Sequence, residues 1–234
     1  MPGRVGGPVN HTARAVVLSA LGGVTLRVGA TEEYANYVND WMRWPLVASG
    51  VLLVALAFVA ILARVGEHEH EHDRASALVP WLLVLPIVIG FVIQPPALGA
   101  YVADRRANQA DARTYADPAV VPLDTTGENE MPVSSFVARA SYDRDGLADV
   151  TVRLTGFVTS DGDGWFVTRL AISCCAADGA AFRVRIEGAE APPEERWVTV
   201  VGTWVEGTGT DLGDTPAIAA SEVTEVDEPA QPYE

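Results

Sequence analysis

The chain has 234 residues, 49% of them hydrophobic, with 31 acidic against 16 basic side chains and a formal net charge of −15. The charge is uneven: residues 1–100 hold 6 Arg and 7 acids, net −1, whereas residues 101–234 hold 10 Arg and 24 acids, net −14. So acidic a C-terminal part repels phosphate backbones, which argues against a nucleic-acid partner, and 2 cysteines are too few for a disulfide-framed secreted scaffold.

The first apolar stretch covers residues 13–30, with Arg14 and Arg27 near its ends, where they can snorkel to headgroups. It resembles a signal peptide in outline but lacks a clean small-x-small cleavage site, so it is read as a retained helix. Tyr34, Tyr37, Trp41 and Trp44 then form an expected interfacial aromatic belt. Residues 44–63 are uncharged and, at ~1.5 Å per residue, long enough for a ~30 Å hydrocarbon core. A third apolar stretch, 77–93, is bent by Pro80 and Pro86 and ends at Gln94-Pro95-Pro96. Residues 1–100 thus read as a transmembrane region of about three helices in the cell membrane, contacting lipid. The arginine bias that sets orientation is weak; with the N-terminus inside, three spans put the remainder on the extracytoplasmic side.

Between the second and third stretches lies Glu67-His-Glu-His-Glu-His-Asp73. His68, His70 and His72 are a possible secondary metal set, although a solvated charged loop has the same composition. Residues 101–131 read as a linker rich in Asp, Asn, Pro and Thr, and Met131 to Ala140 as a short helix. Five runs rich in β-branched and aromatic residues follow, at 150–159, 164–173, 181–187, 197–206 and 216–225. Asp161-Gly162-Asp163-Gly164 signals a hairpin, and Gly156 and Gly202 suit bulges or tight coiling. These features predict a small OB-like five-stranded barrel over 132–226, with 227–234 a flexible tail.

The chemistry centres on Cys174 and Cys175, which follow the second run. Neighbouring residues of a regular strand point to opposite faces, so one ion reaches both thiols only across a bulge or turn. Ala176-Ala177-Asp178-Gly179 offers that turn and brings Asp178 into range. Two sulfurs and a carboxylate suit zinc or copper. The same pair also reads as one core cysteine beside an incidental one, and Arg169 either lowers a thiol pKa or pairs with an acid. Trp165, Phe166, Trp197 and Trp204 read as core and rim. The 4 histidines are His11 and the loop three plus none beyond residue 100, which leaves no His base for a Ser or Cys nucleophile in the C-terminal domain. With no phosphate loop and no G-x-G-x-x-G, the chain is not expected to be an enzyme.

Gly156-Phe-Val, Trp165-Phe-Val-Thr-Arg169, Ile172-Ser-Cys-Cys-Ala-Ala-Asp178 and Trp197-Val-Thr-Val-Val-Gly202 resemble the C-terminal signature of an uncharacterised bacterial family described as two-component permease subunits. Tyr37-Val, the apolar segment around Gly50, the His-rich loop and Pro95-Pro96 resemble its N-terminal half. The resemblance implies membrane helices with a C-terminal β-domain and an integral membrane permease as partner. It makes Cys174, Cys175 and Asp178 the expected functional residues. The function expected is an accessory permease subunit whose cysteines bind a soft metal ion. A membrane-tethered thiol oxidoreductase and a non-catalytic assembly module are the alternatives.

Overall fold

The structure, a computed structural model, describes residues 11–63, 85, 88–89, 99, 103, 107–115, 122–162, 164–211 and 213–234. The chain divides into two compact units: Met1–Tyr34 with Asp40–Pro95, and Ala35–Asn39 with Pro96–Glu234.

In the first unit, α1 (His11–Ala30) packs against α2 (Arg43–Ala63). Glycine is what lets the two backbones approach. A Cβ on Gly22 would lie 3.0 Å from the Gly50 carbonyl oxygen and 2.8 Å from Val54 Cγ2, and one on Gly50 would lie 2.8 Å from Leu26 Cγ. Small residues at such a seam are how apolar helices pair without a hydrophobic gradient between them. The turn between the helices is held by charge. Arg27 pairs with Glu33 at 3.0 Å, Arg43 donates to the Gly29 carbonyl at 3.1 Å and stacks over the Tyr34 ring, and Tyr34 donates to Asp40. Trp44, Val51, Leu52, Phe58 and Val59 remain exposed along α2.

The expectation of about three transmembrane helices is corrected. Among the described residues one helical stretch, Asp40–Leu62 (23 residues), is long and apolar enough to cross a membrane. The apolar part of α1 among the described residues, Ala15–Ala30, is shorter than that. The stretch at 77–93 lies outside the described residues except for Leu85, Val88 and Ile89, as do His68, His70 and His72. One such helix fits an association with a membrane.

The second unit contains β1 (Glu128–Glu130), α3 (Val133–Tyr142), α4 (Arg144–Leu147), β2 (Thr151–Asp161), β3 (Gly164–Ala171), β4 (Ala180–Glu187), β5 (Trp197–Trp204) and β6 (Ala217–Glu225). The expected five-stranded barrel is also corrected: this is a six-stranded mixed sheet in the order β1-β2-β3-β4-β6-β5, with β2 also pairing β5. β1–β2 and β4–β6 are parallel and the other pairings antiparallel. The sixth strand escapes pattern reading because Glu128-Asn129-Glu130 has no apolar alternation. It is an edge strand held by backbone pairing to Thr151–Arg153 and by an Arg153–Glu128 ion pair.

The alternating strand faces bury Leu154, Val158, Val167, Phe182, Val184, Val200 and Ile218. Each such side chain contributes about 1.5–3 kcal/mol on burial. α3 adds Val133, Phe136, Val137 and Ala140, an i, i+3, i+4, i+7 stripe that turns one helical face onto the core. Gly156 is required by close packing, since a Cβ there would meet the Thr168 carbonyl oxygen at 2.5 Å. The β5–β6 register shifts between Val201 and Gly202, so that glycine marks a bulge.

Two other expectations change. The 101–131 segment contributes structure: Asn108 is buried, accepts from Arg183 N at 2.9 Å and donates to the Arg183 carbonyl at 3.0 Å, and Ala107 bridges Ala181. The tail is docked rather than free. Tyr233 is buried and bridges Leu170, and the Glu234 carboxylate accepts from Val133 N (2.6 Å) and Ser134 N (2.9 Å). Pro132, at the start of α3, offers no side-chain cap, so Glu234 supplies it from far along the chain.

Candidate metal centre

β3 ends at Ala171, and the chain leaves the sheet through Ile172 and Ser173 to the two cysteines. Cys175 is fully extended (φ −157°, ψ 166°), and a single 3-10 turn, Ala176–Asp178, reverses the chain into β4. This break from strand geometry puts two adjacent thiols on one side. Cys174 Sγ and Cys175 Sγ are 3.7 Å apart, both cysteines are free thiols, and Cys174 Sγ–H donates to Asp178 Oδ2 at 2.9 Å. The ligand atoms of Cys174, Cys175 and Asp178 all lie within 4.8 Å of one another, and all three residues are half-buried. The turn therefore brings together the three residues the sequence singled out.

Asp178 also shapes the loop. Its Oδ1 accepts from Ser173 N and its Oδ2 from Cys174 N, both at 2.9 Å. Burial pushes its carboxyl pKa up, but the hydrogen bonds from the Cys174 thiol and from the backbone N–H groups of Cys174, Ser173 and Cys175 outweigh this and hold it below the usual value. The Cys174 thiol moves the other way. Its hydrogen bond to Asp178, then its contact with Cys175 and its burial, push its pKa up to about 12. Without a cation the pair thus shares a proton that sits on sulfur.

Neighbouring segments fix the loop. Asn39 N donates to the Cys174 carbonyl at 3.1 Å, Ala176 N to the Tyr37 carbonyl at 2.8 Å, and Val38 forms an antiparallel bridge with Cys175. Tyr115 donates to the Asp178 carbonyl at 3.0 Å; burial, and then the Asp178 charge, raise its phenol pKa. No local pattern signals these partners, because Tyr37 to Asn39 fall in an aromatic-belt pattern and Tyr115 in a polar linker. Of the two roles expected for Arg169, the structure favours interaction with acids, since Glu234 and Glu228 act on its charge. Its guanidinium donates to the Gln231 carbonyl at 2.7 Å and the Thr155 carbonyl at 3.3 Å, and stacks over Trp197.

The donor set fits a soft ion. Two sulfurs each ~2.3 Å from a tetrahedral zinc stand ~3.8 Å apart, and the thiols are already at 3.7 Å. Two thiolates and one carboxylate leave a fourth position open.

Comparison with known families locates both halves of the chain. Residues 13–109 match the DUF1980 N-terminal domain, and residues 139–234 match the DUF1980 C-terminal domain. The pairing is consistent with an uncharacterised family, and the second match contains the cysteine loop, β2 to β6 and the docked tail. Neither a curated protein nor a solved structure matches the chain.

Proposed function

We propose that the protein is a membrane-anchored accessory subunit of a permease, not an enzyme, and that Cys174, Cys175 and Asp178 bind a soft metal ion, zinc or copper(I), for that transport system. The observation that carries the metal reading is the convergence of two thiols and a carboxylate within 4.8 Å on one turn. Two residues adjacent in sequence reach that arrangement only because the strand stops and the chain bends. The permease partner is supported by the resemblance of the Cys-Cys-Ala-Ala-Asp signature, and the anchor by the apolar α2. With the N-terminus taken to be inside and α2 as the described span, the β-unit is proposed to lie on the extracytoplasmic side.

On binding, Cys174 and Cys175 give up their protons and Asp178 exchanges its thiol partner for the cation, while Oδ1 keeps its bond to Ser173 N. Because Cys174 is pushed up to about 12, a cation has to displace a firmly held proton. The same displacement makes Cys174 a poor nucleophile at neutral pH, which favours the metal reading over thiol–disulfide exchange. The full chain purified in detergent should bind one equivalent of zinc or copper(I). Cys174→Ser and Cys175→Ser should each abolish binding, and pull-down from native membranes should recover an integral membrane transporter. A wild-type chain that takes up neither ion under reducing conditions refutes the metal reading.

A further inference from the structure

The dithiol loop is not built by its own strand alone. Three hydrogen bonds from Tyr37 and Asn39 run along it: Asn39 N to the Cys174 carbonyl and Ala176 N to the Tyr37 carbonyl, which together make the Val38–Cys175 bridge, and Asn39 Nδ2 to the Ile172 carbonyl at 3.3 Å. They fix the backbone on both sides of each thiol, and so fix where each Sγ projects. The segment is itself held from behind, since Tyr233 Oη donates to the Asn36 carbonyl at 3.1 Å. Tyr233 sits in a short bridge to Leu170, with Glu234 N on the Leu170 carbonyl (2.9 Å) and Ile172 N on the Glu234 carbonyl (3.0 Å). Residues remote in sequence thus clamp the stretch 170–176 from two sides.

We propose that Tyr37–Asn39 is a positioning strap for the thiol pair, locked by Tyr233, and that strap docking and metal occupancy reinforce each other. The second clause rests on the metal reading above; the first does not. If the docked strap holds both thiols in the arrangement that suits an ion, the ion binds the docked form more tightly. By reciprocity, the ion must then hold the strap down by the same factor. In sequence Asn39 is followed by Asp40–Met42 and then α2.

The test uses the full chain in detergent with two variants. Asn39→Leu keeps the size but removes the side-chain donor, and Tyr233→Phe removes only the hydroxyl. In metal-free chain with chelator present, amide exchange at Ala176 should speed up about fivefold in Asn39→Leu, as expected for one lost hydrogen bond, and by a smaller factor in Tyr233→Phe. Circular dichroism and melting should stay near wild type, which separates a displaced strap from a misfolded domain. Zinc affinity should fall in proportion to the docked fraction lost, and saturating zinc should slow Ala176 exchange in the wild type. Unchanged metal-free exchange in both variants would overturn the strap. Zinc that binds yet leaves Ala176 exchange unaltered would overturn the linkage and leave the strap standing. No zinc or copper(I) binding by the wild type would overturn the metal reading and the linkage with it, while the metal-free exchange still decides the strap.

Discussion

Replacing Asp178 by Asn should make Cys174 more reactive, although it removes a negative charge and a candidate ligand. In the native loop the carboxylate accepts the Cys174 thiol proton at 2.9 Å, and this bond is the largest cause of a pKa pushed up to about 12 from an ordinary 9.0. At pH 8 a thiol with that pKa has a thiolate fraction of about 10⁻⁴, and an ordinary one about 10⁻¹; the substitution removes the largest cause but leaves the Cys175 contact and burial, so it raises the thiolate by at most about a thousandfold. A less basic thiolate is also a weaker nucleophile, with a Brønsted slope of ~0.4–0.5, which returns a factor of about 15–30. The net expectation is faster alkylation of Cys174 in Asp178→Asn, by at most about 30-fold. The assay is the rate of iodoacetamide labelling in metal-free chain across pH 6–10, with fragment-ion mass spectrometry separating the Cys174 and Cys175 adducts. The wild-type rate should still be climbing at pH 10, whereas the variant's profile should shift to lower pH. A variant that labels at or below the wild-type rate would show that Asp178 does not hold the thiol proton, and the proton-for-metal exchange argued above would lose its basis.

Zinc affinity should increase as pH rises from 6 to 8, because protons compete for both thiols, and competition titration of the wild-type chain at several pH values measures that slope. Glu234 should give a stability slope of the opposite sense to a surface carboxylate. Burial, the largest influence, raises its pKa above 4.5 despite the Val133 and Ser134 N–H bonds, so the folded chain holds the proton more firmly and stability falls as pH rises through that window; Glu234→Gln should flatten this part of the denaturation profile. Phe182→Ala, at a site with 0% exposure and a ring contact to Tyr115, should cost about 3–5 kcal/mol in denaturant unfolding.

The features that were legible in the sequence are those set by local pattern. The five β-rich runs each became a strand within a few residues of the expected ends, because alternation and β-branching record which face is buried. The stripe Val133, Phe136, Val137, Ala140 marked α3 in the same way. The features that were not legible depend on backbone bonds to remote partners, which leave no composition behind. Glu128–Glu130 is a strand only because Thr151–Arg153 offers it an edge. The tail looks frayed from its Pro229 and Pro232, yet Tyr233 and Glu234 complete a helix cap and a bridge. The site divides along the same line. Adjacency of the cysteines and the following turn pointed to Asp178, but the Tyr37–Asn39 contact joins positions more than 130 apart in sequence, and no spacing rule predicts it.

The arrangement also explains why an aspartate, and not a third thiol or a histidine, completes the set. Before any ion arrives the loop must be stable with both thiols protonated, and a residue that accepts several donors at once does that best. A carboxylate presents about four acceptor sites on two oxygens; here Oδ1 takes Ser173 N, while Oδ2 takes Cys174 N and the thiol proton. A thiol or an imidazole offers one acceptor at most and would leave backbone N–H groups on the loop unpaired. When Cys174 loses its proton, the two backbone bonds to Asp178 persist, and Oδ2 exchanges only one of its partners. The protonated and the proposed metal-loaded loops therefore share a scaffold, so little of the binding free energy is spent on ordering the chain. It follows that Asp178→Glu, which keeps the charge and adds one methylene, should disturb the site as much as Asp178→Asn does. The longer arm cannot keep both oxygens on Ser173 N and Cys174 N, and thermal melting of the metal-free chain should fall for both variants by a similar amount. A metal-free Asp178→Glu chain as stable as wild type would mean that the carboxylate does not organise the loop, and would leave Asp178 as a ligand candidate only.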